Sequence, residues 1–167
     1  MSKDVAYNEY AKETIEILSK GAFLTTTVNG VTNTMTIAWG NLGFMWGKPV
    51  FTAMVRPSRF TYQCLEQSGE FTVSIPLKDM SKALGICGSQ SGRDGNKLAA
   101  ANLTTNPGKK ISTPVIADCG LHYECKVVYK QEMIPEQLAT DLQEKWYAQG
   151  NYHTLFFGEI LATYIDE

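Results

Sequence analysis

The chain has 167 residues, of which 44% are hydrophobic and 19% charged, with a formal net charge of −2. That length fits a single domain over residues 1–167 and a sizeable core, and the composition excludes a disordered chain. With 15 Lys and Arg against 17 Asp and Glu and no basic tract, it argues against a nucleic-acid partner and against a membrane-surface role.

The opening, MSKDVAYNEYAKETIEILSKG, is too polar for a signal peptide, and the most apolar run, TMTIAWGNLGFMWG, is too short and Gly-rich to span a bilayer. Both predict a cytoplasmic protein. NEYAKETIEILSKG predicts a short amphipathic helix with Tyr10, Ile15, Ile17 and Leu18 on its apolar side and Gly21 closing it. AFLTTTV and VTNTMTIAW follow as strands around Asn29-Gly30, a strong hairpin signal. GNLGFMWGKP reads as a loop and VFTAMV as a strand. RPSRFTYQCLEQSG then gives a helix that Ser58 can cap and Gly69 can end.

EFTVSIP alternates as a further strand, with Phe71, Val73 and Ile75 on one face. From Leu77 to Lys110 the pattern breaks into loops and two short helices lying over a sheet. GLHYECKVVYKQEM is a long alternating strand, and EQLATDLQEKWYAQG a helical insertion. YHTLFFGEILATYI is a last strand with Gly158 at a bulge. Six hairpin-connected strands with helices at the periphery predict a mainly β, antiparallel barrel.

Chemistry-bearing residues are sparse. The four cysteines form no C-x-x-C pair and the two histidines no zinc spacing, so redox chemistry would need an external cofactor. No nucleophile–base motif or paired carboxylates appear, and no side chain is assigned a catalytic role or a metal. VRPSRFT is the main candidate site. A helix N-terminus suits an anion, Arg56 and Arg59 add charge-assisted bonds, and Ser58 and Thr61 add hydroxyl donors. The alternative is a capped helix with two solvated arginines. In NTMTIAWG, Asn33 and Thr36 are either ligand contacts or ordinary hairpin residues, and Trp39 and Trp46 either core or a stacking platform. GSQSGRDGNKL is either an anion nest or a flexible loop.

Taken in order, NTMTIAWG, GKP, VRPSRFT, EFTVSIP, SGRDGNKL and FFGEIL resemble the flavin reductase-like family of FMN-binding split barrels, and most of all its flavoredoxin-type branch. The resemblance implies a six-stranded split barrel working as a homodimer. It also implies FMN as cofactor and NAD(P)H or a redox protein as electron donor. It places Asn33, Met35, Thr36 and Trp39 beside the flavin ring, and Arg56, Ser58, Arg59 and Thr61 at the phosphate. Ser91 and Lys97 would close over the same side. The strong phosphate clamp, with bulky residues in TIAWG, implies FMN that stays bound. An NAD(P)H-dependent reductase, an electron-transfer flavoredoxin and a non-redox ligand-binding dimer all remain open at this point.

Overall fold

A computed structural model describes residues 1–167. Strand β1 (Ser2–Asp4) precedes helix α1 (Ala11–Leu18). Strands β2 (Ala22–Val28) and β3 (Val31–Ile37) form the expected hairpin, with Asn29 and Gly30 at positive φ of 51° and 77°. β4 (Gly40–Met45) and β5 (Lys48–Val55) form a second hairpin. Helix α2 (Phe60–Ser68) leads into β6 (Glu70–Pro76), and helices α3 (Ser81–Ser89) and α4 (Lys97–Ala100) follow. A small ribbon of β7 (Thr105–Asn106) and β8 (Val115–Ile116) precedes β9 (Gly120–Glu132). Helix α5 (Thr140–Trp146) and β10 (Thr154–Asp166) complete the chain.

The main sheet runs β3-β2-β6-β9-β10-β5-β4, with β1 also on β10, and its pairings are antiparallel. β3 and β4 are its opposite edges, yet only Ala38 and Trp39 lie between them in the chain. Three residue steps reach about 10 Å at most. The sheet therefore has to curl until its edges nearly meet, which makes a barrel split along one seam, with Trp39 on that seam.

Besides the β7–β8 ribbon, the main sheet has two strands more than the six expected. β1 is a short exposed edge that pairs with Tyr164–Asp166 of β10, beyond the part of β10 that β5 occupies. β4 was expected to be loop because its glycines resemble breakers. Gly40 is instead a close strand approach, where a Cβ would stand 2.5 Å from the Thr52 carbonyl oxygen. Trp46 and Gly47, at φ of 55° and 71°, make a tight two-residue turn of the kind that Asn-Gly forms more readily.

Inside the barrel, Leu24, Met35, Phe51, Phe71, Tyr123 and Phe156 belong to one buried cluster. Each large apolar side chain there contributes about 1.5–3 kcal/mol by leaving water. Helix α1 turns Thr14 and Leu18 inward, where the Thr14 Oγ1 meets the Tyr123 hydroxyl at 2.7 Å. Ile15, expected on its apolar side, is 61% exposed, because the inward row of this short helix runs through Thr14 and Leu18. The outer face of β2 is covered by α3 and the β7–β8 segment, through Phe23, Cys87, Ile116 and Cys119. This second layer is why Thr72, Ser74, His122 and Glu124 are buried although they alternate with core residues. The Glu124 carboxylate accepts from the backbone N–H groups of Lys109, Lys110 and Ile111 and from the Tyr164 hydroxyl. No helix is long and apolar enough to cross a membrane.

The bulge expected at Gly158 is present as a register shift between Phe157 and Gly158. A Cβ there would lie 2.6 Å from Phe71 Cζ and 2.7 Å from Cys125 Cβ. Gly158→Ala should therefore overpack the core and cost about 1–3 kcal/mol. Urea unfolding should show a lower midpoint at unchanged slope, whereas an unshifted midpoint would mean that the bulge has room.

Candidate functional site

Helix α2 and the loop after α3 meet across a cavity of about 160 Å³ beside the barrel seam. Its lining includes Met35, Ser58, Arg59, Thr61, Ser91, Arg93 and Lys97. Arg59, not Ser58, is the residue before the first turn of α2, and no side chain caps this helix end. The expected Ser58 cap is thus corrected: the Ser58 Oγ is turned away to accept from Asn151 Nδ2 at 2.8 Å.

The hydrogen bonds leave this cavity rich in donors. Thr61 Oγ1 accepts from Asn33 Nδ2 at 2.7 Å, Ser58 Oγ accepts from Asn151, and Ser91 Oγ accepts from the Arg93 N–H at 3.2 Å. Each hydroxyl has its acceptor side engaged and its own proton free to donate. The cations are equally unmatched. Arg59 Nη1 donates to the Gly88 carbonyl at 3.2 Å, Arg93 Nη1 to that of Ser58 at 3.0 Å, and Lys97 Nζ to that of Cys87 at 3.2 Å. None of them meets a carboxylate; the ion pairs of the chain lie at Lys12, Lys48, Lys109, His122 and Lys130. Lys97 is only 5% exposed. Burial pushes its pKa down and the charge of Arg59 lowers it further, with the nearby Cys87 opposing. A buried cation without a counter-charge is costly, and an anion in the cavity would relieve it.

A second cavity of about 280 Å³ adjoins the first, sharing Met35 and Arg59. Met35, Thr36, Ile37, Ala38 and Trp39 form one wall, and Met54, Arg56, Trp146 and His153 the rest. Trp146 meets Trp39 edge to face at 4.9 Å, and the His153 ring lies 5.3 Å from Trp39. The Thr36 hydroxyl donates to the Leu84 carbonyl at 2.6 Å, fixing this edge against α3. The pair of cavities thus offers a polar, cationic end and a flat, aromatic end.

Of the residues singled out in the sequence, Met35, Ser58, Arg59, Thr61, Ser91 and Lys97 converge on the first cavity, and Met35, Thr36 and Trp39 on the second. Asn33 is buried behind them, holding Thr61, and a Cβ on Gly92 would strike its side-chain oxygen. Arg56 does not line the first cavity; it is bonded to the carbonyls of Asn151 and Trp146. Arg93 lies in the Gly-rich stretch already considered as an anion nest, whereas Trp146 and the placement of His153 carried no local signal. Neither did a buried line of Ser74, His122 and Asp166, with contacts of 2.9 Å on both sides of the imidazole. Ser74 and His122 have no exposed surface, so this line ties the end of β10 to β9 and β6 and is closed to substrates.

Residues 17–167 match the Flavin reductase like domain. The chain belongs to that family. Its sequence is 30% identical over 129 residues to an uncharacterized protein of Archaeoglobus fulgidus, covering 77% of this chain and 63% of that protein. The chain thus spans less than two thirds of that curated relative's length. Flavoredoxin from Methanosarcina acetivorans superposes with a TM-score of 0.70 at 26% identity, over 88% of this chain and 68% of that one. An FMN-binding domain of a flavin reductases-like enzyme from Shewanella baltica gives 0.71 at 21% identity, over 99% and 78%. The split-barrel class expected from the sequence is the observed one.

His153 provides a test of the aromatic end. Burial, then the charges of Arg56 and Arg59, push its pKa down from 6.5 to about 4, while its Nδ1 contacts the Tyr147 hydroxyl at 2.6 Å. The unfolded chain binds this proton first, so the stabilising contribution is complete above about 6.5 and is lost as pH falls to about 4. His122 is lowered too, chiefly by burial, and acts in the same direction. NMR titration should find His153 neutral down to about pH 5. A midpoint near that of a free imidazole would contradict the packed environment.

Proposed function

We propose that the two cavities together bind FMN, with its phosphate in the cationic cavity and its ring along Met35–Trp39. The chain would then act as a flavoprotein oxidoreductase, passing electrons from NAD(P)H or a reduced protein donor. The observation that carries this reading is the first cavity's surplus of donors: three hydroxyl protons, two guanidinium groups and a buried ammonium, with no carboxylate among them. A phosphomonoester brings about −1.5 to −2 charges and three acceptor oxygens near neutral pH, which matches that surplus. Relatives named flavoredoxin and FMN-binding support the choice of flavin.

When bound, FMN supplies hydride and single-electron chemistry at its ring. The share of this chain is to hold the phosphate with Ser58, Arg59, Thr61, Ser91 and Lys97, and to seat the ring against Met35, Thr36 and Trp39. Asn33 supports Thr61 from behind. His153, held neutral, keeps a third positive charge, beside those of Arg56 and Arg59, away from the ring pocket. The similarity to a protein named flavoredoxin supports a second, carrier reading, in which electrons come from a protein donor without pyridine-nucleotide activity. Anaerobic mixing with NADH and NADPH separates the two: prompt bleaching of the bound flavin supports the reductase, and unchanged colour the carrier.

Arg59→Ala tests the phosphate assignment. Losing a charge-assisted bond worth about 1.5–3 kcal/mol should weaken FMN binding about ten- to hundredfold. Riboflavin affinity should not change, because it has no phosphate for Arg59 to meet. Fluorescence titration of both flavins measures this, with apo-state melting as the folding control. Equal losses for both flavins would make Arg59 structural.

The same reading includes a homodimer. Support comes from an exposed aromatic group in which Trp46, 57% exposed, meets Tyr129 and Phe157 at ring distances of 5.9 and 5.8 Å. Light scattering should give twice the chain mass for the FMN-loaded protein. A monomer holding one FMN per chain would contradict the dimer.

A further inference from the structure

The segment from Thr140 to His153 packs across the aromatic cavity as a strap, and Arg56 ties two of its backbone carbonyls to the barrel. Arg56, at the end of β5, donates from Nη1 to the Asn151 carbonyl at 2.8 Å and from Nη2 to the Trp146 carbonyl at 3.2 Å. Its guanidinium also lies 4.9 Å from the centre of the Tyr147 ring. Trp146 is the last residue of α5, so the cation sits where that helix exposes unpaired carbonyls and partial negative charge. Asn151 and the preceding Gly150 hold left-handed backbone, φ 56° and 74°, which turns the strap back toward β10. Asn151 also bonds Ser58 through its side chain.

We infer that Arg56 is a positioning residue: by clamping the carbonyls of Trp146 and Asn151, it holds Trp146 and His153 as the wall that decides what the aromatic cavity admits. The assignment differs from a phosphate ligand in what it touches. Arg56 turns its two terminal nitrogens to the strap carbonyls and lays its face by an aromatic ring, and it is absent from the cationic cavity that Arg59, Arg93 and Lys97 share. Lysine would not replace it, because an ammonium lacks the planar fork that reaches two separate carbonyls. Through Trp146, which packs on Trp39 at the seam, the clamp sets the width of the cavity that Arg56 itself helps to line.

The consequence for ligands rests on the FMN reading, and the experiment keeps the two apart. In Arg56→Ala, and more weakly in Arg56→Lys, FMN and riboflavin affinities should fall by the same factor, about tenfold, because the ring loses its wall while the phosphate cavity stays intact. Trypsin cleavage after Lys145, an exposed residue of α5, should accelerate in both variants. The near-ultraviolet circular dichroism of the Trp39–Trp146 pair should drop to the level of Trp146→Phe, while the far-ultraviolet spectrum stays unchanged. Loss of FMN affinity with riboflavin affinity and strap cleavage unaltered would make Arg56 a phosphate ligand and overturn the inference. Unchanged cleavage and dichroism would overturn it as well. If the wild type binds neither flavin, the FMN reading falls, and the cleavage and dichroism arms still decide whether Arg56 holds the strap.

Discussion

The link Ala38–Trp39 constrains everything else. It joins the two edge strands of one sheet, β3 and β4, across a gap that the chain can span only if the sheet closes on itself. Closure puts the apolar faces of β2, β5, β6, β9 and β10 around one core. It also leaves a seam where backbone cannot pair edge to edge. A seam of this kind is a ready place for a ligand, because strand edges and loop ends converge there without filling the space. Trp39, Met35 and Thr36 line one side of it, and helices α2 and α3 deliver their ends to the other.

The energetics of that rim are one-sided. Around α2 the acceptor sides of Ser58, Thr61 and Ser91 are used and their protons are not. Arg59, Arg93 and Lys97 crowd the same small volume with carbonyl oxygens as their only hydrogen-bond acceptors, and of the three Lys97 is buried. A buried ammonium without a counter-charge is costly, so an anion bound there would stabilise the chain as well as the ligand. Arg56 lies one cavity away, where its charge meets a helix C-terminus and an aromatic ring. Two arginines three residues apart thus serve different surroundings, one at the cationic cavity and one at the aromatic one.

Much of this was legible in the sequence, and the failures have physical causes. Asn29-Gly30, Gly158 and Gly69 announced a hairpin, a bulge and a helix end because each position demands a backbone or a space that few residues tolerate. The residues around the first cavity drew attention in the sequence because hydroxyls and arginines at a helix start have a local meaning, and Ser58, Arg59 and Thr61 do converge on that cavity. β4 was missed because its turn is Trp-Gly and its strand carries two glycines, so that pairing with β5 overrides weak local propensity. Ser58 seemed a cap because its sequence context fits one, but Asn151 competes for it from 93 positions away. The sequence grouped Arg56 with Arg59, and its hydrogen bonds to the carbonyls of Asn151 and Trp146 were not foreseen, because backbone acceptors leave no trace in side-chain patterns. The buried Ser74–His122–Asp166 line, assembled from three strands, was invisible for want of any fixed spacing.

Phosphorus NMR of the FMN-loaded protein tests most directly the proposal that a dianionic phosphate is held by the buried Lys97 and the neighbouring arginines. Free phosphomonoesters take up a proton with a pKa of about 6. Beside Lys97 and Arg59 the dianion should be favoured, so the resonance of bound FMN should not titrate between about pH 5 and 8. A bound resonance that follows the titration of free FMN would contradict the claim.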